Sequence, residues 1–263
     1  MSFQGVYGGG GYAFTDPDTP PAHLLPLDPV SVARQANIDR ISSWAKTQGF
    51  TAALYACDLI TGSAGMTPVL DAEISVEDQT RFRNTSAKWR THLEELVQYK
   101  VVEKCDQAHM RFQCTYFAVP KSKTCSRSIF NGAALSDKCI TPPPVNLLDI
   151  PRIVQLVSEL AGTGSPRLYG FTADIRHWFH QVPISDQLSR YFYVRCAEQS
   201  YRFRVLPMGW SFSPYVCQAL AWTCILQALS ECYPQCQGAW SHIWASSSLL
   251  ERSGYIGGTR PRA

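Results

Sequence analysis

Two stretches of the sequence are typical of antiparallel hairpins, and they restrict the chain to folds that contain antiparallel sheet. Residues 110–120, MRFQCTYFAVP, alternate between apolar and polar side chains and are rich in aromatic and β-branched residues, as strands are. The next five residues, KSKTC, predict a turn, and SRSIFNG at 126–132 predicts the returning strand. RYFYVRC at 190–196 and YRFRVLP at 201–207 predict a second hairpin.

Helical patterns surround these hairpins. Asp28 and Pro29 suit the cap and first turn of a helix that runs through residues 28–45. A stretch of little periodicity follows, and Ser75 with Asp78 then gives a capping-box signal. Beyond that signal, apolar residues recur at helical spacing, which core packing explains fully: Trp89, Leu93, Leu96 and Val97.

Two more helices and a strand complete the order of elements. Asp149 and Pro151 begin a helix with one apolar face. RLYGFTADI at 167–175 predicts a strand, and residues 213–230 predict a helix that starts with Ser-Pro. The order is helix, hairpin, helix, strand, hairpin, helix. Because it lacks βαβ alternation, it predicts an α+β fold.

Composition excludes some classes of protein but selects no function. The 263 residues are 45% hydrophobic and 17% charged, as in a folded protein, and a net charge of +3 is too small to establish a nucleic-acid partner. The ten cysteines form no CxxC pair, and no apolar run is long enough to span a membrane. The first residues lack a basic segment followed by an apolar core, so we expect no signal peptide. We therefore expect reduced thiols, several of them buried, in the cytoplasm or nucleus rather than in a secreted protein. Cys232, Cys236 and His242 have poor spacing for zinc and lack a fourth ligand.

The strand predicted within residues 167–175 ends at Asp174. A carboxylate at the tip of a buried strand suits metal binding or acid–base chemistry, although a turn-capping aspartate explains one such residue equally well. Its neighbours in the sequence change that balance. FAVPKSKTCSRSIFNG precedes it, DIRHWFHQVPI contains it, and YRFRVLPMGWSFSPYVCQ follows it.

In this order, the three segments resemble the reverse transcriptases of retroelements. That family has a VPK…R fingers hairpin, an apolar palm strand ending in Asp, and an LPxG turn that leads into a palm helix. The resemblance covers roughly residues 93–229. The sequences of these segments are most similar to enzymes from retrotransposons of the DIRS and VIPER type. Long-terminal-repeat and retroviral enzymes are the next most similar group.

The resemblance implies a palm-and-fingers polymerase fold that is incomplete, with an antiparallel palm sheet, helices and a fingers hairpin. It divides the chain into a disordered arm (1–27), an N-terminal helical region (28–92), fingers (93–167), a partial palm (168–244) and an irregular tail (245–263). The family's thumb, connection and RNase H regions have no counterpart in these 263 residues.

The implied activity is RNA-directed DNA polymerisation, with an RNA template, a DNA primer and deoxynucleoside triphosphates as partners. Two Mg²⁺ ions stabilise the entering and leaving oxygens in such a reaction. The resemblance makes Asp174 a Mg²⁺ ligand and catalytic residue, with the carbonyl of Ile175 as another ligand. Lys121 and Arg127 are implied to bind the triphosphate, and Lys123 the nucleic acid. Without the motif order, these three charges would be read as a solvated face.

Phe179 matches the aromatic gate of the family, whose ring would clash with a 2′ hydroxyl and so select deoxynucleotides. A core phenylalanine on a short helix is the alternative. His177 and His180 flank it and are interpreted as structural. The resemblance also places the LPMGW turn beside the nucleotide and template base, with Gly209 allowing close backbone approach to the substrate. The residues implied to line that pocket are Pro207, Met208, Gly209 and Trp210, while Ser213 is interpreted as a helix cap.

A second metal motif of the family, an aromatic, one residue and two aspartates, has no match here. No Asp follows Asp186, and only three Glu remain after it: Glu198, Glu231 and Glu251. A trial alignment places Trp244 at the aromatic and Ser246 and Ser247 where the carboxylates belong. Serine hydroxyls cannot neutralise two divalent cations, so this copy is predicted to be inactive, a decayed or out-of-frame version of the domain.

Two other functions stay open on the sequence. An RNA-dependent RNA polymerase shares the metal scheme, but Phe179 argues against it because such an enzyme must admit the 2′ hydroxyl. A non-catalytic nucleic-acid-binding remnant would keep only the fingers surface.

Overall fold

The computed structural model describes residues 25–27, 34–75, 86–145, 155, 158 and 175–232. These residues form a mixed α+β fold with two small antiparallel sheets, as the order of elements predicts. One sheet has three strands in the order β1 (Val102–Cys105), β5 (Gln199–Phe203), β4 (Tyr193–Cys196). The other sheet is the hairpin of β2 (Thr115–Pro120) and β3 (Ser126–Asn131).

The first predicted hairpin is confirmed, including its turn. Six residue pairs join the two strands, from Thr115↔Asn131 to Pro120↔Ser126. In the turn, the amides of Lys121 and Ser122 both donate to the carbonyl of Cys125 at 3.0 Å. The Ser122 hydroxyl accepts from two following amides, so the tip is an ordered serine turn.

The second predicted hairpin is also confirmed, as β4 and β5. Strand β1 was not predicted. It follows the preceding helix after a left-handed Lys100 and pairs along β5 from Val102↔Phe203 to Cys105↔Ser200. Four residues give too short an alternation to show in sequence, and the pairing with β5 makes this segment a strand.

The first helix begins later than predicted. Helix α1 spans Ile38–Gln48, and its cap is Asn37, whose side chain accepts from the Arg40 amide at 2.9 Å. The prediction of helix from Asp28 is wrong for residues 34–37, which are not helical. There the Ala36 amide donates to the carbonyl of Gln181 at 2.6 Å, so a tertiary contact takes the place of a helical hydrogen bond.

Helix α2, Thr51–Thr61, lies in the stretch that we judged to have little periodicity. Five of its eleven residues are buried, so it shows no clear polar face. Helix α3, Ala87–Gln98, confirms the predicted apolar stripe, since Trp89, Leu93 and Leu96 are buried. Of the capping-box pair, Ser75 is not helical and Asp78 lies outside the described residues.

The continuously described segments contain three further helices: α4 (Ala133–Ser136), α5 (Asp186–Ser189) and α6 (Ser213–Cys232). Helix α6 confirms the predicted Ser-Pro start. Short 3-10 turns occupy Thr67–Val69, Gln107–His109 and Trp178–Gln181. Of the helix predicted after Asp149, only Gln155 and Ser158 are described, and both are helical. The predicted strand at 167–175 lies outside the described residues, apart from Ile175.

The core extends from α1, α2 and α3 to the junction of the hairpin, the three-stranded sheet and the start of α6. The ring centroids of Phe130 and Phe203 are 4.9 Å apart, and those of Phe192 and Trp210 are 5.2 Å apart with the rings tilted. Leu27, at the end of the predicted arm, packs against this core and bridges Ser126, and Leu25 is buried. No helix among the described residues has both the length and the apolar character needed to cross a membrane.

Candidate nucleic-acid and nucleotide site

The β2–β3 hairpin presents basic side chains at its tip and on one face. Lys121 and Lys123 are exposed in the turn, and Arg127 is exposed on β3 opposite Val119. On the same outward face lies Phe117, which is 36% exposed and was not singled out in the sequence. An aromatic ring beside cations on an open strand face can stack a base while the cations contact phosphates.

The turn at residues 207–210 lies against the other end of β3. Gly209 has φ 130°, and a Cβ there would overlap the carbonyl oxygen of Phe130. Gly132, just after β3, contributes to the same close backbone contact, because a Cβ on it would lie 3.0 Å from the Gly209 carbonyl oxygen. In this fold Gly209 therefore makes a close backbone approach to the hairpin, and its predicted approach to a substrate stays a prediction. Gly132 was overlooked, although the Asn-Gly pair that ends β3 is a turn signal.

The four residues of this turn are not equally accessible. Met208 is 43% exposed and Gly209 is exposed, whereas Pro207 is buried and Trp210 is only 1% exposed. Met208 and Gly209 therefore form the accessible part of the predicted pocket, while Trp210 belongs to the core. Two serines fix the turn: the Ser213 hydroxyl donates to the Pro207 carbonyl at 2.7 Å, and the Ser211 amide donates to Ser136 Oγ at 3.0 Å.

Phe179 lies on the 3-10 turn that ends at Gln181, half-buried against the core. The neighbouring Trp178 anchors this turn, since its indole N–H donates to the Cys217 carbonyl of α6 at 3.1 Å. The following residues then pair with the continuation of β5: the Ile184 amide donates to Arg204 and the Leu206 amide to Val182. Phe179 is thereby held to the chain segment that leads into the 207–210 turn.

The two histidines that flank Phe179 lie face to face, with ring centroids 5.9 Å apart and planes 9° from parallel. His177 has a left-handed backbone, with φ 52°. Burial, together with the nearby charge of His177, lowers the pKa of His180 to about 4. A neutral, stacked His180 agrees with the structural role that we expect for it.

The proposed metal ligands are only partly described. Asp174 lies outside the described residues, and Ile175 is 43% exposed. Within the described part of the chain, no three His, Cys, Asp or Glu side chains are grouped to hold a metal ion. The Mg²⁺ expectation therefore depends on Asp174 and on residues beyond Cys232.

Two other carboxylates have partners of their own. The Asp186 carboxylate contacts Arg204 and lies 3.4 Å from Arg202. The hydrogen bond from Arg204 lowers the pKa of Asp186. Glu231 pairs with Arg40 of α1 at 3.2 Å. It lies eighteen residues after Ser213 on α6, which is about 27 Å along the helix axis from Ser213 at 1.5 Å per residue. Each of these carboxylates is thus engaged by an arginine.

Several of the described thiols are buried. The nine described cysteines are all free, and burial raises the pKa of those furthest inside, for Cys217 to about 12. A thiol with so high a pKa is a poor nucleophile. Cys236 and His242, two of the three side chains weighed for zinc, lie outside the described residues.

Comparison with known proteins finds no family model that matches the chain and no curated protein that matches it significantly. Function is therefore argued from the motifs and the geometry of the site.

Proposed function

We propose that this chain is the fingers and partial palm of a retroelement-type, RNA-directed DNA polymerase domain, in a copy that no longer polymerises. One observation carries the proposal. The VPK…R hairpin and the LPMGW turn, separated by more than seventy residues, meet backbone to backbone through Phe130, Gly132 and Gly209. Motifs that resemble one family in sequence order are thus neighbours in space, as parts of one substrate site must be.

In this proposal the outward face of the hairpin binds the partners. Lys121 and Arg127 contact the triphosphate of a deoxynucleotide or, when no nucleotide is bound, phosphates of the nucleic acid. Lys123 contacts the backbone of an RNA template paired with a DNA primer, and Phe117 adds a stacking surface. The guanidinium of Arg127 suits bidentate contact with phosphate, whereas a lysine acts as a point charge.

Loss of catalysis follows from the carboxylates. When bound, two Mg²⁺ ions would stabilise the entering and leaving oxygens of nucleotidyl transfer. Asp174 and the Ile175 carbonyl supply ligands on one side. Ser246 and Ser247 stand where the family has two aspartates, and Glu231 is engaged by Arg40. Such a site lacks the negative charge that fixed divalent ions require.

Binding of nucleic acid tests the proposal without requiring catalysis. We expect weak binding to a primed RNA template, with an affinity that falls as salt rises because bound counterions are released. Changing Lys121, Lys123 and Arg127 together to alanine should reduce the salt slope by up to about three phosphate contacts. Fluorescence anisotropy against salt concentration measures the slope. An unchanged slope in the triple variant would show that the hairpin is only a solvated face, and a non-catalytic remnant that binds elsewhere would then be the better description.

Sugar selection tests the role of Phe179. In a version that carries a restored aspartate pair, Phe179→Val should raise the use of ribonucleotides and leave deoxynucleotide use nearly unchanged, because only the ribose has the 2′ hydroxyl that the ring excludes. Single-nucleotide incorporation with both sugars measures the ratio. Equal responses would identify Phe179 as a core residue, and ribonucleotide preference before mutation would favour an RNA-dependent RNA polymerase.

A further inference from the structure

Helix α3 lies behind the hairpin and holds it at two points. Lys88 Nζ donates to the Leu25 carbonyl and lies 3.5 Å from Ser126 Oγ. One turn further along the helix, His92 Nε2 is 3.2 Å from the Tyr116 hydroxyl, which donates to Ser128 Oγ at 2.9 Å. Lys88 and His92 are four residues apart, so both project from the same face of α3.

The two anchored serines stand on either side of Arg127 in β3. Successive side chains of a strand point to opposite faces, so Arg127 points away from α3 while Ser126 and Ser128 point toward it. The burial agrees, because Ser126 is fully buried and Arg127 is exposed. The backbone of Arg127 is thus fixed from behind on both sides.

The main chain adds a third restraint. The Ser126 amide donates to the Pro26 carbonyl at 2.8 Å, and Leu27 forms a parallel bridge with Ser126. The carbonyl of Leu25 in the same segment receives the Lys88 ammonium. Lys88 therefore holds residues 25–27 and the start of β3 together.

We propose that Lys88 and His92 are positioning residues, which act through Ser126 and Ser128 to aim Arg127 at phosphate. The inference rests on the proposed function, since it assigns the hairpin face a phosphate ligand. Holding a guanidinium in place lowers the ordering cost of each hydrogen bond that it forms. None of the three motifs that carry the resemblance includes Lys88 or His92, and the sequence explains the apolar stripe of α3 by core packing alone.

The test is a double-mutant cycle on the affinity for a fluorescein-labelled primed RNA template. Lys88→Met keeps the aliphatic part of the side chain and removes the ammonium group. Arg127→Ala removes the guanidinium that is proposed to contact phosphate. We expect Lys88→Met to weaken binding about threefold or more, and the double variant to bind no more weakly than Arg127→Ala alone, because coupled residues are not additive. Lys88→Arg should restore most of the affinity. Lys46→Met, which loses the same charge from an exposed site on α1, should change it little.

Additive effects in the cycle would overturn the proposal, since Lys88 would then act on nucleic acid directly. So would an equal loss in Lys46→Met. Ser126→Ala, a smaller change, serves if Lys88→Met does not fold, and it should show the same coupling to Arg127. If the unmodified chain binds no template, the proposed function fails. Hydrogen exchange at the Ser126 amide then tests separately whether Lys88 anchors the start of β3. Faster exchange in Lys88→Met than in Lys46→Met supports the anchoring, and equal exchange refutes it.

Discussion

Gly209→Ala is expected to lower the free energy of unfolding by about 3 kcal/mol or more and to separate the 207–210 turn from the hairpin. The residue has φ 130°, which side chains rarely adopt, and the added Cβ would overlap the Phe130 carbonyl oxygen. Relief requires the backbone to move, because the overlapping atom belongs to the main chain of β3. Urea unfolding followed by circular dichroism measures the loss.

Gly49→Ala is the matched control. Gly49 also has a positive φ, 74°, but a Cβ there would have no atom within 4 Å. That variant should lose only the cost of left-handed backbone, about 1 kcal/mol. Equal losses in the two variants would mean that conformation alone constrains Gly209, and that the contact with β3 is not needed for stability.

Acidification from pH 7 to pH 5 is expected to remove about 2 kcal/mol of stability through His92 alone. This side chain is 4% exposed, and burial, with the nearby charges of His180 and Lys88, lowers its pKa to about 4. In the unfolded chain its pKa is about 6.5. Below that value the unfolded state takes up a proton that the folded state excludes, so stability is full above pH 6.5 and falls until pH 4. Near pH 5 most carboxyl groups are still ionised, which limits their share of the change.

His92→Gln separates this effect from other titrations, because glutamine can still reach the Tyr116 hydroxyl but does not ionise. Its surroundings supply little compensation: Nδ1 is 3.9 Å from Glu95 Oε2, and Tyr116 is the hydrogen-bond partner on the other side. Urea unfolding of both proteins at pH 7 and pH 5 gives the comparison. The variant should lose clearly less stability than the parent, with a remaining part from His180. The same loss in both would contradict a buried, neutral His92.

Elements whose pattern is local were predicted well. The alternation in β2 and β3 and the five-residue turn between them define that hairpin within seventeen residues, and α6 begins with a Ser-Pro pair. Elements that depend on distant partners were not. Strand β1 forms by pairing with β5, and α2 shows no polar face. Helix α1 starts later than predicted because the Ala36 amide donates to the Gln181 carbonyl.

The candidate site shows the same division. The exposed charges at 121, 123 and 127 lie where a hairpin must place them. The neighbours of Gly209 and the burial of Trp210 could not be foreseen, because both depend on how the 207–210 turn crosses a hairpin more than seventy residues earlier in the chain. The anchoring of Ser126 and Ser128 by α3 was hidden for the same reason, since spacing four residues apart shows a shared face but not what that face touches.

Primer extension on an RNA template with Mg²⁺ or Mn²⁺ tests the central claim most directly. Three proteins are compared: the chain as written, its Asp174→Ala variant, and a version with an aspartate-pair hairpin and a thumb grafted after Ile243. We expect the chain as written to extend the primer no more than its Asp174→Ala variant does. The missing aspartate pair is a principal electrostatic element of such a site, and its loss lowers the rate by orders of magnitude. The grafted version should extend the primer, and Asp174→Ala should abolish that activity. Extension by the chain as written, well above the Asp174→Ala control, would contradict its inactivity. A grafted protein that binds primed template but never extends it would contradict the polymerase assignment.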